Sequence, residues 1–302
     1  MLGDIYRDRY DNMAVYSGSQ GEGISKIGES DTDILYLLSG YMCVTNQKVW
    51  QRVPSLGTVF TIANTYPGNC TLELARHKGS CHHAIETSLV IKNGSHFLSS
   101  SKFKAAEIGT HTPKEPALAE MTGPALTVTD VCGVMFDFVY TISCECQQIL
   151  QTWASRRRKY DWPPLSLRQV IPNMNGNLVA TGMQNSETED LEWRYCFNEI
   201  EGLIFENLND TQMKLYNMLK IINNDILKKQ NMSLSSYLMK NIVLWLAEYY
   251  KQSEFRPETL LSWVLTSLRL LKLAVKRNNL PYYMIPKRNM LKKSWVIQVD
   301  TV

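Results

Sequence analysis

A chain of 302 residues, 44% hydrophobic and 20% charged, has the composition of a soluble globular protein and is long enough for one large domain or two lobes. No run approaches the roughly 18 to 20 apolar residues needed to cross a bilayer, and the charged start MLGDIYRDRYD excludes a secretory signal. The expected location is therefore cytoplasmic, with no membrane partner. Net charge is +3, but residues 1–150 carry 11 Lys and Arg against 15 Asp and Glu, and residues 151–302 carry 21 against 14. The second half is the one suited to a polyanion, through RRRK from Arg156, KRNN from Lys276 and KRNMLKK from Lys287, although a solvated face is the commoner meaning of such runs.

In chain order, the first half alternates short apolar runs with turn residues: DILYLL, LELAR, SLVIK and GVMFDFVYTI. This predicts strands and an α+β fold. SRRRKYDWPP reads as a helix end entering a rigid turn, which places a boundary between lobes 1–160 and 161–302. Helices follow. Leu215, Leu219, Ile222 and Ile226 lie at helical spacing behind Asp210 as N-cap, Leu238, Ile242 and Leu246 form a second stripe, and a third helix starts near Pro257 and runs through Leu260, Val264, Leu268, Leu271 and Val275. Asn198 and Glu201 fit a capping box.

The seven cysteines are odd in number and lack a disulfide spacing, so reduced thiols are expected. CHH from Cys81 and CEC from Cys144 have no second pair at zinc spacing, and no structural zinc is expected.

Gly18 and Ser19 precede Asp31 and Asp33 with eleven residues between Ser19 and Asp31. Alternate residues of a strand share a face, so the two carboxylates point the same way and repel unless a cation lies between them. Hard divalent ions combine one or two carboxylates with substrate phosphates, and a glycine lets backbone N–H groups approach a triphosphate. The bland alternative is a polar turn before a strand. Asp137, a lone acid in GVMFDFVYTI, is costly to bury unpaired and is the candidate third ligand. Asp130 is its rival, better read as a turn residue.

The Gly-Ser and Asp-x-Asp pattern resembles the signature of the DNA polymerase β-like nucleotidyltransferases. The blocks DLEWRYCFNEIEGLIFENLNDTQMKLYNMLKIINNDIL, LSSYLMKNIVLW and LPYYMIPKRNML resemble, in order, those of the male-abnormal-twenty-one family of nucleotidyltransferases. Within that family they most resemble the cyclic GMP-AMP synthase-like receptors of invertebrates, molluscan ones included. The resemblance runs from Gly18 almost to the C-terminus.

It implies a bilobed enzyme with a mixed-sheet core, a C-terminal helical lobe and an active site in the cleft between them. Such an enzyme joins ATP and GTP into a cyclic dinucleotide for innate immune signalling, under the control of double-stranded nucleic acid, RNA favoured, on the basic surface. By motif position Asp31, Asp33 and Asp137 would hold two Mg²⁺ or Mn²⁺ ions, and Gly18 and Ser19 would contact the triphosphate. Arg194 would lie against a base, Lys220 and Ser236 would contact donor phosphates, Tyr237 would stack on a base, and Lys240 would support them. On their residues alone Tyr237 fits a core aromatic and Ser236 a helix cap.

Three departures stand out. The stretch ENLNDTQMKLYNM lacks the histidine and cysteines of the vertebrate zinc insertion. Cys196 and Asn198 replace serines after the Trp-Arg pair, so base selection is expected to differ. The chain begins about 17 residues before Gly18, short of the long helix usual in the family, which points to an incomplete N-terminus or a divergent member. The alternative reading is an interaction protein on the same fold without catalysis, and a third is a simple nucleic-acid binder resting on the basic half.

Overall fold

Eleven strands and eight α-helices form in the described residues of the computed structural model, which are 13–17, 32–45, 57–79, 81–111, 119–129, 135–227 and 234–291, with backbone alone described at 13–17, 32–33, 108–111 and 119–122. Gly18, Ser19, Asp31 and Asp130, together with the side chain of Asp33, lie outside that set. The residues fall into two compact units, 1–147 with 174–198, and 148–173 with 199–302.

The first unit is built on a mixed sheet, and the fold class is α+β. Its strands are β1 (Met13–Ser17), β2 (Thr32–Val44), β3 (Thr58–Asn64), β4 (Asn69–Arg76), β5 (Leu89–Lys92), β6 (Ser95–Leu98), β7 (Ala119–Thr122), β8 (Ala125–Thr129), β9 (Met135–Cys144), β10 (Gly176–Val179) and β11 (Glu192–Cys196). β2 runs parallel to both β3 and β9, and the remaining pairings are antiparallel. Followed from β2 through β3, β4, β11, β10 and β9, the pairings return to β2.

A break in β2 makes this circuit possible. Its register against β9 shifts between Leu37 and Met42, where Gly40 has φ +83°, a backbone region that residues with a Cβ rarely enter. Before the shift β2 pairs with β1, and after it with β3. Between β5 and β6, Asn93 and Gly94 both take positive φ, as a two-residue hairpin turn requires.

The core of this unit gathers the inward positions of these strands under helices α1 (His83–Thr87) and α2 (Ser100–His111). Phe60, Leu72, Ile142, Leu178 and Trp193 are fully enclosed. The Trp193 ring lies 5.2 Å from that of Phe103 on α2, and its Nε1–H donates to the Leu98 carbonyl at 2.9 Å, so the indole buries its area without orphaning its polar atom. Cys43, Cys70, Cys144 and Cys146 are also buried, and with Cys81 and Cys196 they are free thiols. Burial pushes Cys43 and Cys144 well above the ordinary thiol range, which keeps them protonated and inert.

The second unit is helical: α3 (Gln147–Ser155), α4 (Leu165–Val170), α5 (Asn198–Phe205), α6 (Asp210–Ile222), α7 (Ser236–Tyr249) and α8 (Leu260–Arg277). The cap of α6 is Asn209, one residue before the expected Asp210. Its side chain accepts from the Gln212 N–H at 3.0 Å while Gln212 accepts from the Asn209 N–H at 2.9 Å, a capping box. Leu215 and Leu219 are buried as the spacing implies, but the helix widens to a π-turn over Asn223–Leu227 and turns Ile226 out to 49% exposure. The stripe Leu238, Ile242 and Leu246 is buried along α7.

The run RRRK serves packing more than surface charge. Arg156 clasps Glu248 with Nε and Nη2 at 2.8 and 2.5 Å and donates through Nη1 to the Tyr283 carbonyl at 2.6 Å. Arg158 adds a bond to Glu248 at 3.1 Å and binds the carbonyls of Trp153 and Ala154, the orphan acceptors at the end of α3. The Tyr283 hydroxyl donates to Glu248 at 2.7 Å, and the Arg156 guanidinium lies 4.3 and 4.7 Å from the ring centroids of Tyr283 and Trp245. Of the run, Arg157 and Lys159 are exposed, and Arg156 and Arg158 are partly buried.

The chain thus crosses between units more than once. The expected boundary at residue 160 falls within the stretch 148–173 that joins the helical unit, and β10 and β11 return to the sheet because they fill the gap between β9 and β4.

Candidate functional site

In the first unit the sheet aligns a row of polar positions. Asp33 of β2 is the register partner of Asp137 of β9, Ser17 of β1 is the partner of Asp33, and Thr127 of β8 is the partner of Asp137. Glu120 of β7 continues the row beside Thr127. Neighbouring strands lie about 4.8 Å apart and register partners share a face of the sheet, so positions 33 and 137, 104 residues apart in sequence, are adjacent.

Alternation along β9 explains why the acid is tolerated. Phe136, Phe138 and Tyr140 form the other face, where Tyr36 stacks on Tyr140 at 5.3 Å and lies 5.9 Å from Phe138. Leu126 and Phe103 complete the same packing. Asp137, on the opposite face, is half-buried and accepts a hydrogen bond from the Thr127 hydroxyl to Oδ1 at 2.5 Å. A carboxylate offers about four lone-pair sites, so this bond orients the group and leaves capacity for a cation.

The set suits a hard divalent ion because its donors are oxygens. Among the described residues no three His, Cys, Asp or Glu side chains gather as a metal group, and of the three aspartates only the Asp137 side chain is within that set. Thr127→Val is expected to lower stability by about 1 kcal/mol through the lost hydrogen bond to Asp137, and Thr127→Ser to restore most of it, as read by urea denaturation.

Arg194 is half-buried in the middle of β11, between Asn69 and Val179. Lys104 on α2 lies within its electrostatic reach: burial lowers the Lys104 pKa, Glu189 opposes the shift, and Arg194 adds to it. Sequence reasoning missed Lys104, which no periodicity distinguishes from an ordinary surface lysine. It also missed Glu192, buried in β11, whose carboxylate accepts from the Met183 N–H and from the hydroxyls of Ser186 and Thr188 at 2.7 to 2.9 Å.

In the second unit the remaining candidates sit on α6 and α7. Lys220 is in the last turn of α6, its Nζ 5.5 Å from the Tyr216 ring centroid. Ser236 is the exposed first residue of α7, and the cap is its neighbour Ser235, which accepts from the Tyr237 N–H at 3.2 Å. Tyr237 is half-buried, and its hydroxyl donates to Glu201 Oε1 at 2.7 Å.

Tyr282 donates to the same oxygen at 2.6 Å, and Lys240 approaches Glu201 Oε2 at 3.9 Å. Glu201 therefore anchors two tyrosines rather than closing a capping box with Asn198, which is itself the first residue of α5. Burial, then the Glu201 charge, pushes the Tyr282 hydroxyl well above the usual phenol range, so it stays a donor to Glu201 at neutral pH.

Comparison with known proteins bears on the helical unit. Residues 211–302 match the family described as the Mab-21 protein HhH/H2TH-like domain, in agreement with the resemblance carried by the C-terminal blocks. No curated protein matches the chain at a significant level.

Proposed function

We propose that this chain is a metal-dependent nucleotidyltransferase of the male-abnormal-twenty-one type, with a polymerase β-like core lobe. The observation that carries the reading is the register partnership of Asp33 and Asp137 on adjacent strands, and the Mab-21 match over residues 211–302 supports it from the helical half. Asp31, Asp33 and Asp137 would hold two Mg²⁺ or Mn²⁺ ions. Bound there, the ions would lower the pKa of the attacking hydroxyl and neutralise triphosphate charge.

The chain's own residues have simpler tasks. Thr127 holds the Asp137 carboxylate in one orientation, Gly18 and Ser19 contact the triphosphate, and Lys220 and Ser236 bind donor phosphates. Arg194 and Tyr237 offer flat groups to the bases, which such groups stack upon favourably. Glu201 fixes the Tyr237 ring through its hydroxyl.

In its finer form the proposal is a cyclic GMP-AMP synthase-like receptor of the invertebrate, molluscan kind. It joins ATP and GTP into a cyclic dinucleotide when double-stranded RNA engages the basic surface, as an innate immune sensor in the cytoplasm. The purified protein is incubated with labelled nucleoside triphosphates, Mg²⁺ or Mn²⁺ and a panel of nucleic acids. Phosphatase-resistant product that disappears in Asp31→Ala/Asp33→Ala supports the proposal. No product with any activator, from protein that still binds nucleotide, favours instead a catalytically inactive interaction protein on the same fold.

A further inference from the structure

Helix α8 carries an outer face that neither the core nor the proposed nucleotide site uses, although its last turn holds Lys276 and Arg277 of the run KRNN, which the sequence also offers to a polyanion. Its inner side is Trp263, Val264, Ser267, Leu271 and Ala274, all buried. On the outer side Leu261, Leu265, Leu270 and Leu273 are 69, 54, 40 and 40% exposed, and Arg269, Lys272, Lys276 and Arg277 are exposed among them. Four of the fourteen exposed large hydrophobic residues of the described surface thus lie on one helix, a concentration that solitary surface leucines do not produce.

At about 100° per residue, leucines and cations interleave around the outer half of the circumference. Residues 260–277 include no Asp or Glu, and none of the four cations forms an ion pair among the described residues.

We propose that this face docks on the surface of an anionic phospholipid bilayer. A coiled-coil partner helix would take a narrow apolar seam, but these leucines spread over about half the circumference with cations among them. A nucleic acid would engage the cations through its phosphates and leave the leucines in water. The boundary between headgroups and acyl chains takes both at once: leucines enter the acyl margin while Lys and Arg reach back to phosphate. The helix is about 27 Å long and lies along the surface; no helix among the described residues is long and apolar enough to cross a membrane. The expectation of no membrane partner rested on spanning segments and signals, which do not bear on a helix that lies flat.

The test is co-sedimentation of the full chain with vesicles of phosphatidylcholine alone or mixed with phosphatidylserine. The chain is expected to pellet only with the mixed vesicles. Lys272→Glu/Lys276→Glu weakens that partition at least about tenfold, and Leu261→Gln/Leu265→Gln weakens it by a comparable factor. Both variants keep the wild-type circular dichroism and melting temperature because every altered side chain is exposed. Wild-type protein left in the supernatant of mixed vesicles overturns the proposal, as does unchanged sedimentation of either variant. Loss of binding to double-stranded RNA in the charge variant, with vesicle binding intact, assigns the face to nucleic acid and overturns it too.

Discussion

Under the proposed function, Asp137→Asn is expected to form product from nucleoside triphosphates roughly a thousandfold more slowly than the wild type, since the Asp137 carboxylate would hold the ions and several kcal/mol of transition-state stabilisation would go with it. Its fold is expected to survive, because the asparagine carbonyl still accepts the Thr127 hydroxyl that bonds Asp137 at 2.5 Å. Asp33→Asn behaves alike, as its register partnership with Asp137 implies. Initial rates measured beside urea denaturation separate the two effects. A slow but stable variant supports the assignment, and a stable variant with wild-type rates removes Asp137 from the site.

Glu248→Ala has the largest expected effect on stability. Its carboxylate is buried and receives Arg156, Arg158 and the Tyr283 hydroxyl. Truncation leaves two guanidinium groups without their counter-charge, one of them with a side chain only 3% exposed. Removing one partner from a buried ionic cluster costs about 3 to 5 kcal/mol. Glu248→Gln is expected to lose less, because its amide oxygen still accepts from Tyr283. Both are read from the urea midpoint by tryptophan fluorescence, with Trp153 and Trp245 beside Arg156 as reporters. A Glu248→Ala midpoint equal to the wild type would show that the cluster contributes nothing net.

The elements that sequence periodicity revealed were those with strong local signals. The stripe of α7 announces itself because all of it is buried, and the apolar runs of β2, β4 and β9 because most of their apolar residues are at least partly buried. In the run of β5, by contrast, Ile91 is 71% exposed, and in the expected α8 stripe only Val264 and Leu271 are buried. β10 and β11 did not announce themselves, being four and five residues long and stabilised by partners far along the chain. Their place between β9 and β4 also explains why no single cut in the sequence separates the units. The π-turn after α6 was equally hidden, since the spacing that brings Ile226 into line on an ideal helix is lost when one turn widens.

The candidate site was partly legible. Asp137 stood out as an acid in an apolar strand, and its pairing with Asp33 follows from β2 and β9 running parallel, which the sequence does not state. Thr127 carried no signal because its role depends on the β8–β9 register. The arginines of RRRK read as surface charge, yet Arg156 and Arg158 turn inward, as only the position of Glu248, 92 and 90 residues away, reveals.

On the proposed function, Asp33 and Asp137 belong to one site for a metal-bound triphosphate. Thermal unfolding of wild-type protein and Asp137→Asn, with nucleoside triphosphate and Mn²⁺ together and each alone, tests it most directly. At a hundred times the dissociation constant, a ligand stabilises the native state by about 2.7 kcal/mol. The wild type is expected to show a clear rise in melting temperature with both components present and little with either alone, and Asp137→Asn to show no rise. An equal rise in both proteins, or none in the wild type, contradicts that reading.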